Sequence, residues 1–408
     1  MDGLTAIPAA DPRISYSDYQ NRIDNGGRIG FSRTVPNEKK YNLDSPGARM
    51  RFRTNASKIV VDLLYKERTN PNRMQNGLGV YLIDGKAGER TTFERSKRDG
   101  CKNEPVTVKV RADGEWHDYE LVLPYGDIVE FHTLHTNPEA EFAEPKPRPP
   151  YRAVFFGDSI VHGFSASRID RTFPYLVGEL LDWEIVNMGI AGIGLNPGAA
   201  KVLGALKMNR LVCSIGANDW REGMLPEKFR ANLEKFLHDF RAFQPETPVD
   251  FLSPMWLSTK FKAPAAHHTL QEFREVYAEF GAECGDPHVR IINGSELIDH
   301  DTRVTAENIH GIFDCCDLFL EAFDAADSKT LFVRELLPLG RPVIAASGLA
   351  GWGRSNAMRV RKVGANLYLA GDLTSEIGGA LTPQSARVGI AAAQEANTVL
   401  ALILGREI

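Results

Sequence analysis

The stretch "VFFGDSIVHGF", residues 154–164, decides how the middle of this 408-residue chain is interpreted. An apolar run ends at Gly157, Asp158 and Ser159 follow, and a helical pattern continues past a histidine at position 162. Two interpretations are open at this point. Either Ser159 is a nucleophile held where a strand turns into a helix, or Asp158 and Ser159 only cap that helix.

Strands and helices alternate around this turn. In "EKFRANLEKFLHDFRAF", residues 227–243, the apolar side chains recur at helical spacing and share one face. Alternation of this kind predicts an α/β domain, with a parallel sheet covered on both sides. The predicted strands are "YRAVFF" (151–156), "EIVNMG" (184–189), "RLVCSIG" (210–216), "VDFLSPMW" (249–256) and "HVRIIN" (288–293). The predicted apolar face of the helix consists of Phe229, Leu233, Phe236, Leu237 and Phe240.

Residues 1–136 have a β pattern without intervening helices. In "VTVKVR" (106–111), valines alternate with polar residues, and "KIVVDLLYKE" (58–67) and "YELVLP" (119–124) are further strands. Asp84-Gly85 and Asp113-Gly114 predict hairpin turns. We therefore expect an antiparallel, jelly-roll-like β-sandwich. The stretch "NPEAEFAEPKPRPP" (137–150) then predicts a semi-rigid proline-rich linker that joins neither a helix nor a sheet.

Two later strand ends carry groups suited to acyl transfer. "VNMGIAG" (186–192) ends a strand with Gly189 and Gly192, and "SIGAND" (214–219) ends the next with Asn218. A glycine N–H and an asparagine amide can donate hydrogen bonds to the oxyanion that forms during attack on an ester. Active sites of open parallel sheets lie at the carboxyl ends of the strands, where these stretches fall.

The order of GDS, then N-x-G-x-x-G, then G-x-N-D resembles the SGNH, or GDSL-type, hydrolases over about residues 151–302. The resemblance implies a flavodoxin-like three-layer α/β/α domain with Ser159 as nucleophile. It also implies an oxyanion hole formed by the Ser159 backbone, Gly192 and Asn218. A β-sandwich in front of such a domain is similar to carbohydrate esterases that remove acetyl groups from sugars.

A serine nucleophile needs a base. The family carries its histidine as D-x-x-H, and "TAENIHG" (305–311) offers Glu307 and His310 at that spacing, with glutamate in the orienting position. His310 could equally be an ordinary polar residue at a helix start. His162 is expected to point aside or outward, and His300 is a third candidate. Trp256 is expected either in the core or along the substrate cleft.

From about residue 303 to 408 the chain resembles the carboxyl-terminal half of sulfur-carrier protein adenylyltransferases, relatives of ubiquitin-activating enzymes. The resemblance rests on stretches such as "PVIAASGLAGWGRSN" (342–356) and "RKVGANLYLAGDLTSE" (361–376). It implies a half-Rossmann-like α/β segment in which Asp324 helps to hold ATP phosphates and magnesium. The nucleotide-binding half of that family is absent from this sequence. Asp324 and Lys329 alone cannot cradle ATP, because phosphate binding needs converging N–H groups and cations.

The glycines at 189, 192 and 194 read G-x-x-G-x-G, the reverse of the dinucleotide fingerprint, and no suitable acidic residue follows about 20 positions later. A net charge of −5 argues against nucleic acid or an anionic membrane as a partner. Five scattered cysteines without a C-x-x-C pair indicate neither a disulfide framework nor a zinc site. No signal-peptide pattern opens the sequence, so we expect a cytoplasmic location, although a trimmed secreted form would look the same.

The sequence therefore predicts a serine ester hydrolase that deacetylates carbohydrate or other small esters and needs no metal or cofactor. Two alternatives stay open: an adenylyltransferase-like protein that lacks its nucleotide-binding half, and a non-catalytic binding or fusion protein. The segment 303–408 is expected to have an unpaired strand edge and an apolar last helix. These would need a partner surface, either elsewhere in this chain, on a second copy in a homodimer, or on a different chain.

Overall fold

The computed structural model describes residues 3–35, 44–69, 78–85, 89–93, 102–108, 110–257, 263–297, 306, 309–313, 316–321, 323, 326–350, 355–375 and 385–407. The chain divides into two units, Met1–His300 and Asp301–Ile408. The first unit thus contains both the β-rich segment and the alternating segment that the sequence predicts.

The amino-terminal segment of the first unit is built from antiparallel strands. In the described part of the chain they form two sheets, one with the order β3-β4-β11-β6-β9 and β1 beside β11, the other with the order β12-β5-β10-β7-β8 and β2 beside β5. The strands are β1 (Thr5–Pro8), β2 (Ser15–Tyr16), β3 (Asn21–Asp24), β4 (Ile29–Ser32), β5 (Arg49–Thr54), β6 (Ile59–Arg68), β7 (Gly79–Ile83), β8 (Arg90–Phe93), β9 (Lys102–Val108), β10 (His117–Val122), β11 (Asp127–Thr136) and β12 (Phe142–Ala143).

The two sheets bury side chains against each other. Alternate residues of β5 are buried, among them Met50 and Phe52, because successive side chains of a strand point to opposite faces. The ring of Tyr16 in the second sheet lies 5.5 Å from that of Phe131 in the first, centroid to centroid. A common core therefore joins the sheets, whereas the jelly-roll connectivity stays a prediction.

Two sequence-based predictions fail in this segment. Asp113-Gly114 does not close a hairpin, because β9 pairs with β6 in one sheet and β10 pairs with β5 and β7 in the other. The proline-rich stretch does join a sheet, since Phe142 and Ala143 pair with Thr54 and Arg53 of β5. Prolines flank this short edge pairing and need no backbone N–H there.

The rest of the first unit alternates strands and helices, as predicted. The described strands run parallel in the order β14-β13-β15-β16-β17, which is the order of flavodoxin-like sheets. The strands are β13 (Arg152–Gly157), β14 (Glu184–Asn187), β15 (Arg210–Ser214), β16 (Val249–Leu252) and β17 (Val289–Ile292). The helices are α1 (Ser159–His162), α2 (Phe173–Leu181), α3 (Ala199–Gly204), α4 (Ala217–Arg221), α5 (Pro226–Arg241), α6 (Leu270–Glu283) and α7 (Gly294–Leu297).

Helices cover both faces of the parallel sheet. On one face the predicted apolar side of α5 is buried, and the Phe236 ring stacks on Phe156 of β13 at 6.2 Å between centroids. On the other face Phe173 of α2 lies edge-on to Phe155, 5.3 Å away. Each fully buried phenylalanine stabilises the fold by roughly 2 kcal/mol, so these contacts hold β13 between two apolar layers.

The second unit has its own sheet and core. Its described strands, in the order β18-β19-β21-β20, are parallel except for the antiparallel β20–β21 pair. The sequence did not predict β20, whose residues "RVRK" lie at the edge and are mostly polar. The elements are α8 (Ile309–Phe313), β18 (Phe319–Leu320), α9 (Ala326–Leu336), β19 (Val343–Ala346), β20 (Arg359–Lys362), β21 (Leu367–Gly371) and α10 (Ser385–Ile403). A half-Rossmann origin of this unit stays a prediction.

No helix within the described ranges has the length and apolar character needed to cross a membrane.

Candidate active site

Ser159 lies at the turn between β13 and α1. The strand β13 ends at Gly157, Asp158 caps the helix by accepting a hydrogen bond from the Ile160 N–H at 2.9 Å, and Ser159 is the first residue of α1. A Cβ at position 157 would lie 2.0 Å from the carbonyl oxygen of Ser214 in the neighbouring strand, so only glycine fits. Asp158 therefore does act as a helix cap, and Ser159 is half-buried beside it.

The loop after β14 runs against this turn. Its backbone follows β13, since the N–H of Met188 donates to Phe155 O at 2.7 Å and that of Ile190 donates to Gly157 O at 2.8 Å. A Cβ at Gly189 would lie 2.4 Å from the backbone nitrogen of His162, so glycine is needed for this approach to α1. Gly192 has φ +76°, a left-handed conformation that favours glycine. The backbone geometry alone therefore favours glycine at both positions, whatever part they take in the chemistry.

Asn218 extends from the next strand end. Gly216 precedes α4 with φ +113°, and Asn218, the second residue of that helix, is buried. Its Nδ2 donates to the carbonyl oxygen of Ile193 at 2.9 Å. An amide nitrogen carries two N–H groups, and this contact uses one of them. Among the described residues the second N–H has no further acceptor, so it can serve as a donor at the carboxyl edge of the sheet.

The three segments meet at the carboxyl edge of three adjacent strands. Phe155 of β13 lies beside Asn187 of β14, and Gly157 of β13 lies beside Ser214 of β15. In a sheet of this order the point between β13 and β15 is the topological switch point, where ligands of open α/β sheets bind. Ser159, Gly192 and Asn218 each follow one of these strand ends. This arrangement brings a hydroxyl and two kinds of N–H donor to one edge of the sheet.

Two buried carboxyl groups lie beneath this edge. Desolvation raises the pKa of Asp158 to about 6, against the hydrogen bond from Ile160. Desolvation likewise raises the pKa of Asp219 to about 6, against the hydrogen bond from Leu195, and the nearby charge of Asp158 adds to the rise. Burial also raises the pKa of the Cys213 thiol. A protein group that ionises near pH 6 thus lies directly beside Ser159.

His162 is not where the sequence suggested. It was expected to point aside or outward, but its side chain is completely buried. Its Nε2 lies 2.8 Å from Oδ2 of Asp44, and its Nδ1 accepts a hydrogen bond from the Ala191 N–H at 3.2 Å. Asp44 in turn is paired with the guanidinium of Arg33. Sequence analysis missed Arg33 and Asp44, because nothing in their local sequence signals a partner more than a hundred residues away.

The predicted base lies in the second unit. His310 belongs to α8, its side chain is 47% exposed, and its Nε2 is 3.6 Å from Oε2 of Glu335. Glu307, the predicted partner of His310, lies outside the described residues, as do His300 and Asp324. The pairing of Glu307 with His310 therefore stays a prediction, and so does the nucleotide-binding role of Asp324. Trp256 follows β16 at the carboxyl edge and is half-buried.

The described residues contain no group of three or more His, Cys, Asp and Glu side chains that could hold a metal ion.

The chain is similar to known proteins in this region. Residues 155–311 match the GDSL-like Lipase/Acylhydrolase family, so the match includes His310. No curated protein matches the chain. Beyond residue 311 the family match does not continue, and the adenylyltransferase resemblance of residues 303–408 stays a prediction.

Several solved structures share the fold. Salicylyl-acyltransferase SsfX3 from a tetracycline biosynthetic pathway is 20% identical, with a TM-score of 0.61 over 83% of this chain and 98% of that chain. A Bacteroides ovatus protein described as a GDSL-like lipase is 18% identical, with a TM-score of 0.59 over 71% of this chain and 87% of that one. A family two carbohydrate esterase from Cellvibrio japonicus is 13% identical, with a TM-score of 0.51 over 71% and 88%. Residues 155–311 are therefore the part of the chain that resembles the GDSL-like lipase/acylhydrolase family.

Proposed function

We propose that this protein is a serine ester hydrolase that removes acetyl or similar small acyl groups from a carbohydrate or another small alcohol. The observation that carries the proposal is the meeting of Ser159 with the loops of Gly192 and Asn218 at the switch point of the parallel sheet. The family match supports acyl chemistry. Two structural neighbours are named as an acyltransferase and a carbohydrate esterase, which supports an acylated small molecule as substrate.

In the proposed reaction, Ser159 Oγ attacks the acyl carbonyl carbon and its proton passes to a general base, for which we propose His310 from its spacing in the sequence. The carbonyl oxygen becomes an oxyanion, which accepts hydrogen bonds from the N–H groups of Ser159, Gly192 and Asn218. The tetrahedral intermediate expels the alcohol, which takes the proton from the imidazolium. Water then attacks the acyl-enzyme by the same route and releases the acid.

The start of α1 suits Ser159 as a nucleophile. The Ser159 N–H is one of the first N–H groups of the helix, and such groups have no carbonyl partner within the helix. The capping carboxyl of Asp158 accepts from Ile160 instead, which leaves the serine N–H for a ligand. Half-burial keeps the hydroxyl accessible to a small ester while limiting its contact with water.

The base is assigned to His310 rather than His162. His162 has both ring nitrogens engaged, by Asp44 and by the Ala191 N–H, and it is buried. His310 is half exposed and belongs to the matched family segment. Glu307 is proposed to orient its ring.

Hydrolysis of p-nitrophenyl acetate tests the proposal. The wild type should hydrolyse the ester, and Ser159→Ala should lose this activity with an unchanged thermal unfolding temperature. His310→Gln should lower kcat by about 10⁴-fold, as loss of a general base does. The matched control is His238→Gln on the exposed side of α5, where the side chain is 86% exposed, and it should retain full activity. Equal rates for the wild type and Ser159→Ala would refute the proposal.

Acetylated oligosaccharides test the substrate class. Acetate release from acetylated xylo- or cello-oligosaccharides should exceed release from an acetylated aliphatic alcohol at equal concentration. The reverse preference would contradict the carbohydrate assignment while leaving the esterase assignment standing.

A further inference from the structure

Three buried polar side chains form a chain of contacts that connects the amino-terminal sheets to the loop that carries Gly192. Arg33 follows β4, Asp44 precedes β5, and His162 ends α1. Arg33 is 2% exposed, and Asp44 and His162 are fully buried. Charged groups are rarely buried so deeply unless they are paired, because removing them from water is costly.

The hydrogen bonds determine which protons the chain holds. The Ala191 N–H donates to His162 Nδ1, so that nitrogen is an acceptor and carries no proton. His162 Nε2 therefore carries the proton and donates it to Asp44. Asp44 also accepts from Arg33 and from the Gly126 N–H at 2.8 Å, which is consistent with an ionised carboxylate. Desolvation lowers the pKa of His162, which keeps the ring neutral.

Arg33 and His162, the two ends of this chain of polar side chains, both bind the loop that leads to Gly192. Arg33 donates to the carbonyl oxygen of Gly189, and His162 accepts from the Ala191 N–H. These two backbone groups lie on either side of Ile190, and Gly192 directly follows Ala191 in the sequence. The peptide between Ala191 and Gly192 carries the Gly192 N–H, so the orientation of Ala191 influences where that N–H points.

We propose that Arg33, Asp44 and His162 form a positioning chain by which the amino-terminal sheets hold the Gly189–Gly192 loop and aim the Gly192 N–H at the oxyanion. This inference rests on the proposed function and adds residues to it that do not touch the substrate. In this proposal the β-rich segment positions an oxyanion donor in addition to stabilising the fold. Arg33 and Asp44 both lie outside the residues that match the family, so this role belongs to the β-rich segment.

Two substitutions of His162 separate positioning from simple packing. In His162→Asn, the amide oxygen can take the place of Nδ1 and keep the bond to Ala191, but the contact with Asp44 is lost. In His162→Gln, the longer amide can reach Asp44, but no acceptor remains for the Ala191 N–H. Misplacement of a catalytic group by about 1 Å can cost 10²-fold in rate.

The expected result is a split in kcat. His162→Gln should lower kcat for p-nitrophenyl acetate by about 10²-fold with little change in KM, whereas His162→Asn, which keeps the bond to Ala191 and loses the support of Asp44, should lower kcat by about 10-fold. Both should lower the thermal unfolding temperature, because both leave buried polar groups without a partner. Equal kcat values for the two folded variants would overturn the proposal.

A third variant controls for loss of a buried hydrogen bond between the same segments. The hydroxyl of Tyr19 donates to the carbonyl oxygen of Asn187 at 2.6 Å, just before the loop. Tyr19→Phe should lower the unfolding temperature and leave kcat unchanged. If His162→Gln does not fold, Arg33→Lys replaces it, because one ammonium group cannot reproduce the two-sided contact of the guanidinium. Arg33→Lys should then lower kcat as well, and an unchanged kcat would overturn the proposal.

Hydrogen exchange tests the chain without any assay of activity. The Ala191 amide should be strongly protected in the wild type and in His162→Asn, and should exchange faster in His162→Gln. Rapid exchange of this amide in the wild type would overturn the proposal even if the protein is an active esterase. Conversely, a wild type without Ser159-dependent hydrolysis would refute the proposed function, and the exchange result would still report on the loop.

Discussion

Replacing Asp158 by asparagine should stabilise the protein, and the size of the effect should depend on pH. Burial raises the pKa of this carboxyl from 3.8 to about 6. The difference is about 2 pKa units, and each unit corresponds to 1.36 kcal/mol, so the ionised carboxylate should cost the folded state about 3 kcal/mol. Asparagine cannot ionise, yet its side-chain oxygen can still accept the hydrogen bond from the Ile160 N–H.

The sign follows from which state binds the proton more tightly. Because the folded pKa of Asp158 is higher than the unfolded one, folding is favoured by protonation of this group. That contribution is complete below about pH 4 and is lost as the pH rises through about 6. The gain in unfolding free energy of Asp158→Asn over the wild type should therefore increase by about 3 kcal/mol between pH 4 and pH 8.

Urea denaturation of both proteins at several pH values between 4 and 8 measures this difference. The new amide N–H groups can add a constant amount to the difference in unfolding free energy. Only the change of this difference with pH reports on the ionisation of Asp158. The control is Asp239→Asn on α5, where the hydrogen bond from Lys235 lowers the pKa and the variant should gain nothing as the pH rises. A difference for Asp158→Asn that stays flat within about 1 kcal/mol would refute the argument that this carboxyl is buried and uncompensated.

Three further predictions concern Asn218, Gly157 and Cys213. Asn218→Ala should lower kcat for p-nitrophenyl acetate by about 10²- to 10³-fold, as loss of one oxyanion donor does, and an unchanged kcat would remove Asn218 from the oxyanion site. Gly157→Ala should lower the unfolding free energy by about 3 kcal/mol or more in thermal melts, because its Cβ would meet Ser214 O at 2.0 Å. Cys213, which is fully buried with a raised pKa, should resist iodoacetamide until the protein unfolds, whereas the partly exposed Cys284 should react in the native state. Labelling of native Cys213 would show that the strand opens.

Local patterns in the sequence were sufficient for most of the α/β segment. The helix of residues 226–241 was predicted because Phe229, Leu233 and Phe236 recur at helical spacing, and all three are buried. The strands β13 to β17 were predicted because short apolar runs separate the helices, and each run does contain a parallel strand. A periodic pattern is a property of neighbouring residues, so the sequence displays it directly.

Predictions that depended on distant pairing did less well. Asp113-Gly114 has hairpin chemistry, but the strands on either side of it belong to different sheets. Turn chemistry is local, whereas the choice of a partner strand depends on how both faces are buried. Phe142 likewise pairs with β5, although the prolines around it predicted a semi-rigid linker that joins no sheet.

By itself, the sequence determined that Ser159, Gly192 and Asn218 follow strand ends in an α/β segment, because each strand end is marked by apolar residues that give way to glycine. Only the tertiary structure decided that these strand ends are neighbours and that His162 is buried against Asp44 rather than turned outward. Strand order and buried ion pairs join residues far apart in the chain. Their free energy depends on surfaces that meet only after folding, so a linear pattern of residues does not record it.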